Sequence, residues 1–173
     1  MVGVNGYGPS LTATMGMARE MDMRERVNAA LKQAMKDKAV ARLSTLRLIN
    51  AAIKDRDIAV RGEGNEAGVG DAEVLAILGK MVKQRHESAR AYEEGGRLDL
   101  AERERAEVAV IEEFLPRQLD EAEVAKAIEK AIAETEANSI RDMGKVMGIL
   151  KKKYTGQMDF GTVGPMIKNR LSA

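Results

Sequence analysis

The sequence predicts an all-α protein, an antiparallel four-helix bundle followed by a small three-helix tail domain. Three observations predict it. Apolar residues recur three and four apart along most of the chain, and no stretch alternates as a strand would. Aromatic residues make up only 3%, and tryptophan and cysteine are absent, so Ala, Leu, Ile, Val and Met must form the core, a palette that favours helices. Breaks in the pattern coincide with glycine or proline, at 62–70, 95–96, 116 and 156.

Residues 1–22 are expected to form a flexible extension, rich in Gly, Ser and Thr. They lack a basic leader and a long apolar run, so they make a poor signal peptide, and Met21 and Met23 are candidate starts. A first helix over 24–37 places Val27, Leu31 and Met35 on one face. A second, over 39–60, carries the stripe Leu43, Leu46, Ile49 and Ile53, with Lys54, Arg56 and Asp57 toward its polar end. "RGEGNEAGVG" then reads as a mobile loop; it lacks the lysine–serine ending of a phosphate-binding P-loop, and no strand precedes it. Asp71 can cap the third helix, whose stripe is Leu75, Leu78, Val82, Ala89 and Tyr92, and Gly95 and Gly96 can end it. The fourth helix, about 98–115, faces Ala101, Val108, Ile111 and Leu115 inward. Pro116 stops it, because the residue before proline avoids helical geometry.

Pro116 therefore separates a bundle at 23–115 from a tail at 117–173. In the tail, Asp120 with Glu123 has capping-box spacing, ahead of the stripe Val124, Ile128 and Ile132. Ser139 and Asp142 offer a similar cap for "MGKVMGILKKKY", Gly156 suits its far end, and Asp159 can start a last helix. Pro165 should kink that last helix or begin it. Met143, Met147, Met158 and Met166 are expected as adaptable core filler.

The chain carries no recognisable catalytic constellation. There is no GxSxG elbow, no dinucleotide fingerprint, and no HExxH or DxDxDG metal motif, so neither cofactor nor metal is expected. His86, the single histidine, has Ser88 two residues away, which is poor helical geometry for a base and its nucleophile. Glu102, Glu104, Glu107, Glu112 and Glu113 interleave with Arg103 and Arg105 and read as a solvated, ion-paired helix. No apolar run approaches the roughly 20 residues a membrane helix needs, and the lack of cysteine suits a reducing compartment, so a cytoplasmic location is expected.

Charge is more informative. The net formal charge is only +1. Within the tail, however, residues 120–138 hold six carboxylates against two lysines, and residues 139–173 hold seven cations against two aspartates. The candidate nucleic-acid-binding set is therefore Lys145, Lys151, Lys152, Lys153, Lys168 and Arg170, with Gly144 and Gly148 small enough to admit another backbone. The dipole of the helix also accounts for lysines at its C-terminal end without any ligand.

"TLRLINAAIKDRDI", "VLAILGKMVKQRHESARAYEEGGRLDLAERERAEVAVIEEFLPRQL" and "MGKVMGILKKKYTGQMD" together resemble the GatB/YqeY family, from about Met23 to Leu171. That family comprises freestanding YqeY-like proteins, a related mitochondrial protein, and the C-terminal tail of the GatB component of the tRNA-dependent amidotransferase. The chain looks like the freestanding form. The resemblance implies a helical bundle with a three-helix tail, and a tail that helps hold misacylated tRNA. It also carries the label of a carbon–nitrogen ligase with glutamine as amide donor. In that enzyme the ATP-dependent activation domain and the amidase centre lie elsewhere, and neither is present here. The expectation is thus a tRNA-associated accessory protein that does no chemistry itself. The alternative is a module docking an aminoacyl-tRNA synthetase or an amidotransferase subunit, and amide transfer comes third. Gly161, Gly164 and Pro165 depart from the continuous last helix usual for the family, which bears on how Lys168 and Arg170 point.

Overall fold

The structure, a computed structural model, describes residues 21–172. Most of the expected N-terminal extension, residues 1–20, lies outside the described residues. Those that are described form seven α-helices, one 3-10 turn and no strand: α1 (Met23–Lys36), α2 (Val40–Gly62), α3 (Asp71–Glu94), α4 (Leu98–Glu112), α5 (Glu121–Thr135), the 3-10 turn (Ile140–Asp142), α6 (Met143–Lys153) and α7 (Phe160–Ser172). None of these helices is long and apolar enough to cross a membrane.

Local chemistry sets each start. Asp22 caps α1, accepting from the Glu25 N–H at 2.9 Å, while the Glu25 carboxylate accepts from the Asp22 N–H at 3.3 Å. Val27 and Ala34 are buried on α1, but Met35 is 53% exposed. The expected row was one residue off: seven residues return a helix to within about 20° of the same direction, and eight overshoot by about 80°. Lys38 closes the turn to α2 with φ 53°, a left-handed conformation.

Along α2, Leu46, Ile49, Ile53 and Val60 are buried in one row, and Asp57 is buried with them. Asp57 is therefore not on the polar side, as its charge suggested. The Arg24 guanidinium donates to Asp57 at 2.6 Å and to the Val69 carbonyl at 3.0 Å, and the Val69 N–H donates to Asp57 at 2.9 Å. These bonds fasten the far end of the glycine-rich segment that was expected to be mobile. Gly68 has φ 82°, and a Cβ there would stand 2.5 Å from Asp57 Oδ1, so this crossing requires glycine. Gly70, not Asp71, occupies the cap position of α3; Asp71 instead accepts from the Met23 N–H at 3.2 Å and ties α3 to the start of α1.

One apolar cluster joins Val27, Leu46, Ile49, Val74, Leu78, Ile111 and Phe114, with Leu115 packed against it. Leu43, Leu75 and Val82 line its margin rather than its centre. α3 packs chiefly on α4, and α1 on α2. α4 itself ends at Glu112, short of Pro116, and Arg26 lies over the Phe114 ring at 5.6 Å.

A second apolar cluster joins Ala127, Ile128 and Ala131 of α5, Val146 and Leu150 of α6, Met158, and Val163 and Ile167 of α7. The Asp120–Glu123 capping box forms, with the Glu123 N–H donating to Asp120 at 2.7 Å. The Asp142 carboxylate accepts from the Asn138 N–H at 3.1 Å and the Ser139 N–H at 3.3 Å, which organises the entry to α6. Met158 is buried, whereas Met166, expected as filler, is 41% exposed. Asp159 starts α7, accepting from the Gly161 N–H at 2.9 Å. The helix then runs through Pro165 to Ser172, so it does not begin at the proline. The donor that proline lacks would have met the carbonyl of Gly161, which is exposed and can turn to water.

The α6–α7 connection reaches the margin of the first cluster, where Leu75 packs. A Cβ on Gly156, whose φ is 77°, would lie 3.3 Å from Leu75 Cβ and 3.4 Å from Pro116 Cδ. The Leu119 N–H donates to the Gln157 carbonyl at 2.9 Å, and Lys83 of α3 pairs with Asp159 at 3.4 Å.

Candidate nucleic-acid interface

The outward face of α6 follows from its inward one. Val146 and Leu150, four residues apart, are fully buried. At about 100° per residue, Gly144, Lys145, Gly148, Lys151 and Lys152 then share an arc of about 120° on the opposite side. All five are exposed, and nothing described lies within 4 Å of a Cβ added at Gly144 or Gly148. The result is a strip of bare helix backbone edged by three ammonium groups. Lys151 and Lys152 make no ion pair among the described residues, and Lys145 stands near Asp142. Hydrogen bonds from the Asn138 and Ser139 N–H groups, with a smaller contribution from Lys145, hold the Asp142 carboxyl below its ordinary range.

The rest of the expected basic set does not join this strip. Lys153 sits on the α5 side of α6, with both Glu134 oxygens 3.0 Å from its Nζ. Arg170 is paired with Glu129 of α5, one of its bonds measuring 3.1 Å. That pair raises the guanidinium pKa and lowers that of the carboxyl, by hydrogen bonding first and charge second. Lys168 is exposed and unpaired among the described residues, but two residues from Arg170 it points about 200° away around α7. The structure thus brings together Lys145, Lys151 and Lys152, turns Lys153 and Arg170 onto the acidic helix, and leaves Lys168 on another flank.

The other candidates stay dispersed. His86 is exposed on α3 and has no hydrogen-bond partner among the described residues. Of the five glutamates of α4 and its end, Glu107 pairs with Arg85 at 2.8 Å and Glu113 with Arg42 at 2.6 Å, Arg105 pairs with Glu93 of α3, and Glu102, Glu104 and Glu112 make no ion pair among the described residues. No group of three or more His, Cys, Asp or Glu side chains able to hold a metal occurs among the described residues. Sequence reasoning missed the Arg24–Asp57 lock. Its signal was present, since Asp57 falls on the inward row of α2, four residues after Ile53 and three before Val60.

Comparison with known proteins agrees with the motifs. The model for Yqey-like proteins matches residues 24–171. A protein of Clavispora lusitaniae named "Altered inheritance of mitochondria protein 41, mitochondrial" is 35% identical over 82% of this chain and 80% of its own. An uncharacterized protein of Schizosaccharomyces pombe is 28% identical over 54% of this chain and 69% of its own. The fungal relative's mitochondrial name overturns the expected cytoplasmic location. That expectation rested on the absence of a membrane-length apolar run and on the lack of cysteine, which fit any reducing compartment and select none. A match across nearly every described residue, joined to a relative aligned over most of both chains, places this protein in the YqeY-like family.

Proposed function

We propose that this YqeY-like chain is an RNA-binding accessory protein whose ligand is tRNA, held against the outward face of α6. The observation that carries the reading is the strip of Lys145, Lys151 and Lys152 around the exposed backbone of Gly144 and Gly148. Lysines position a phosphate backbone without reading sequence, so selectivity would come from RNA shape. The glycines let that backbone approach the helix closely. In this reading the helices divide into a four-helix unit before Pro116 and a three-helix tail after it, with the tail presenting the strip. The chain itself carries out no amide transfer.

Titration of total tRNA against the purified chain at two salt concentrations tests it. Lys145→Glu, Lys151→Glu and Lys152→Glu together are expected to weaken binding by at least about tenfold, because each lost phosphate contact forfeits counterion release. Lys153→Ala is expected to change it little, since that ammonium is already occupied by Glu134. Unchanged affinity in the triple variant would remove the site. A second reading also finds support in the glycine strip, since Gly144 and Gly148 lie four apart and would admit a partner's helix as readily as RNA. A docked amidotransferase or aminoacyl-tRNA synthetase subunit would then be captured without RNA, and capture would survive nuclease.

A further inference from the structure

A cleft of about 560 Å³ opens between α1 and α2, on the other apolar cluster from the α6 strip. Its α2 wall is one stripe, Asn50, Ile53, Lys54, Asp57, Ile58 and Arg61, at helical spacings of three and four. Arg24, Val27 and Asn28 form the α1 wall with the same spacing. The volume lies within the range usual for small-molecule sites.

The floor is rigid. The Arg24–Asp57 pair is bonded to both backbone groups of Val69, and the Asp57 side chain is only 6% exposed. Above it the charge is uneven. Among the described residues Asp57 is the only carboxylate lining the cleft, and Arg24 already answers it. Lys54 and Arg61 are then in excess, on a chain whose whole net charge is +1. Lys54 has no ion pair among the described residues; Arg61 donates to the Glu66 carbonyl at 3.3 Å and makes no ion pair among them either, its charge acting at longer range on the Asp57 carboxylate that Arg24 already answers. By contrast Arg56, a neighbour on the same helix but outside the cleft, pairs with Glu73 at 3.4 Å. Ile58 is 68% exposed beside these cations, an apolar shelf that no described side chain covers. Asn28 and Asn50 add amide groups able both to donate and to accept.

We infer that this cleft binds a phosphate monoester of mononucleotide size. Its phosphate meets Lys54 and Arg61, and its body lies on Ile58 within reach of the Asn28 and Asn50 amides. Two long cationic side chains over a neutralised floor suit one compact anion. The shelf and the amides suit an organic body with a polar edge, which inorganic phosphate lacks. The site is independent of the RNA strip and neither needs nor supports it.

Nitrogen-15 NMR titration of the full chain tests this with three probes: AMP, adenosine and inorganic phosphate. AMP is expected to saturate with a Kd of about 1 mM or tighter, with shifts concentrated at residues 24–28 and 50–61. Adenosine and inorganic phosphate are each expected to bind at least about tenfold more weakly. Lys54→Ala with Arg61→Ala should cost AMP at least about tenfold, the unchanged spectrum elsewhere reporting an intact fold, while Lys151→Ala with Lys152→Ala should leave AMP binding unchanged. The proposal is overturned by absence of saturable AMP binding or by AMP binding that survives the cleft variant. It is equally overturned if inorganic phosphate binds as tightly as AMP.

Discussion

Asp57 lies in the inward row of α2, where a carboxylate without a partner would be costly. The bonded Arg24 guanidinium holds its carboxyl down to about 2, against the upward push of burial and with help from the Val69 N–H. A folded-state pKa below the ordinary 3.8 means that the stabilisation is complete above that pH and is lost as pH falls through about 2. Arg24 is about one third exposed, so solvent screens part of the pair. Asp57→Asn is therefore expected to cost about 2 kcal/mol at neutral pH rather than the roughly 3–5 of a fully buried pair. Urea denaturation of both proteins from pH 7 downward should show that gap narrowing between pH 4 and 2. A gap that is constant over this range would mean that the carboxylate's charge is not what holds the loop. Nothing in the sequence named Arg24 as the partner, 33 residues away, because only packing α1 on α2 makes them neighbours.

At the scale of the helix, α6 sets stability against access. Gly148 lies in the helix interior, where glycine costs about 1 kcal/mol relative to alanine, and no described atom stands within 4 Å of the missing Cβ. Gly148→Ala is expected to raise stability by about 1 kcal/mol, read by thermal or urea unfolding. In the proposed role it also weakens tRNA binding, because the methyl group stands where the ligand backbone approaches. A variant more stable and equally good at binding would show that the strip is not the contact. The face of α6 was legible in the sequence, since Val146 and Leu150 are apolar and four apart, and the lysines and glycines fall on the opposite side. The fate of Lys153 was not. It differs from Lys152 by one residue, which turns it about 100° toward α5, and only the position of Glu134 on that helix decides that it is occupied.

For the whole molecule, Gly156 is where the α6–α7 connection lies against Leu75 of α3 and Pro116. Its positive φ strains any side chain, and a Cβ would press against Leu75 and Pro116. Gly156→Ala is expected to loosen the α6–α7 connection. In hydrogen exchange, amides of α6 and α7 should lose protection while those around Leu46 and Ile49 of α2 keep theirs. Equal loss in both would show that the chain unfolds as a single unit. The sequence by itself determined the helical class, the capping of α5, the break at Pro116 and the family, because each depends on residue type at short spacing. It also set the acidic run of α5 against the basic end. Tertiary structure alone decided which cations remain free, that Arg24 is the partner of Asp57, and that α1 and α2 leave a cleft. These depend on which helix faces lie against each other, and charge and periodicity along a linear chain carry no record of that.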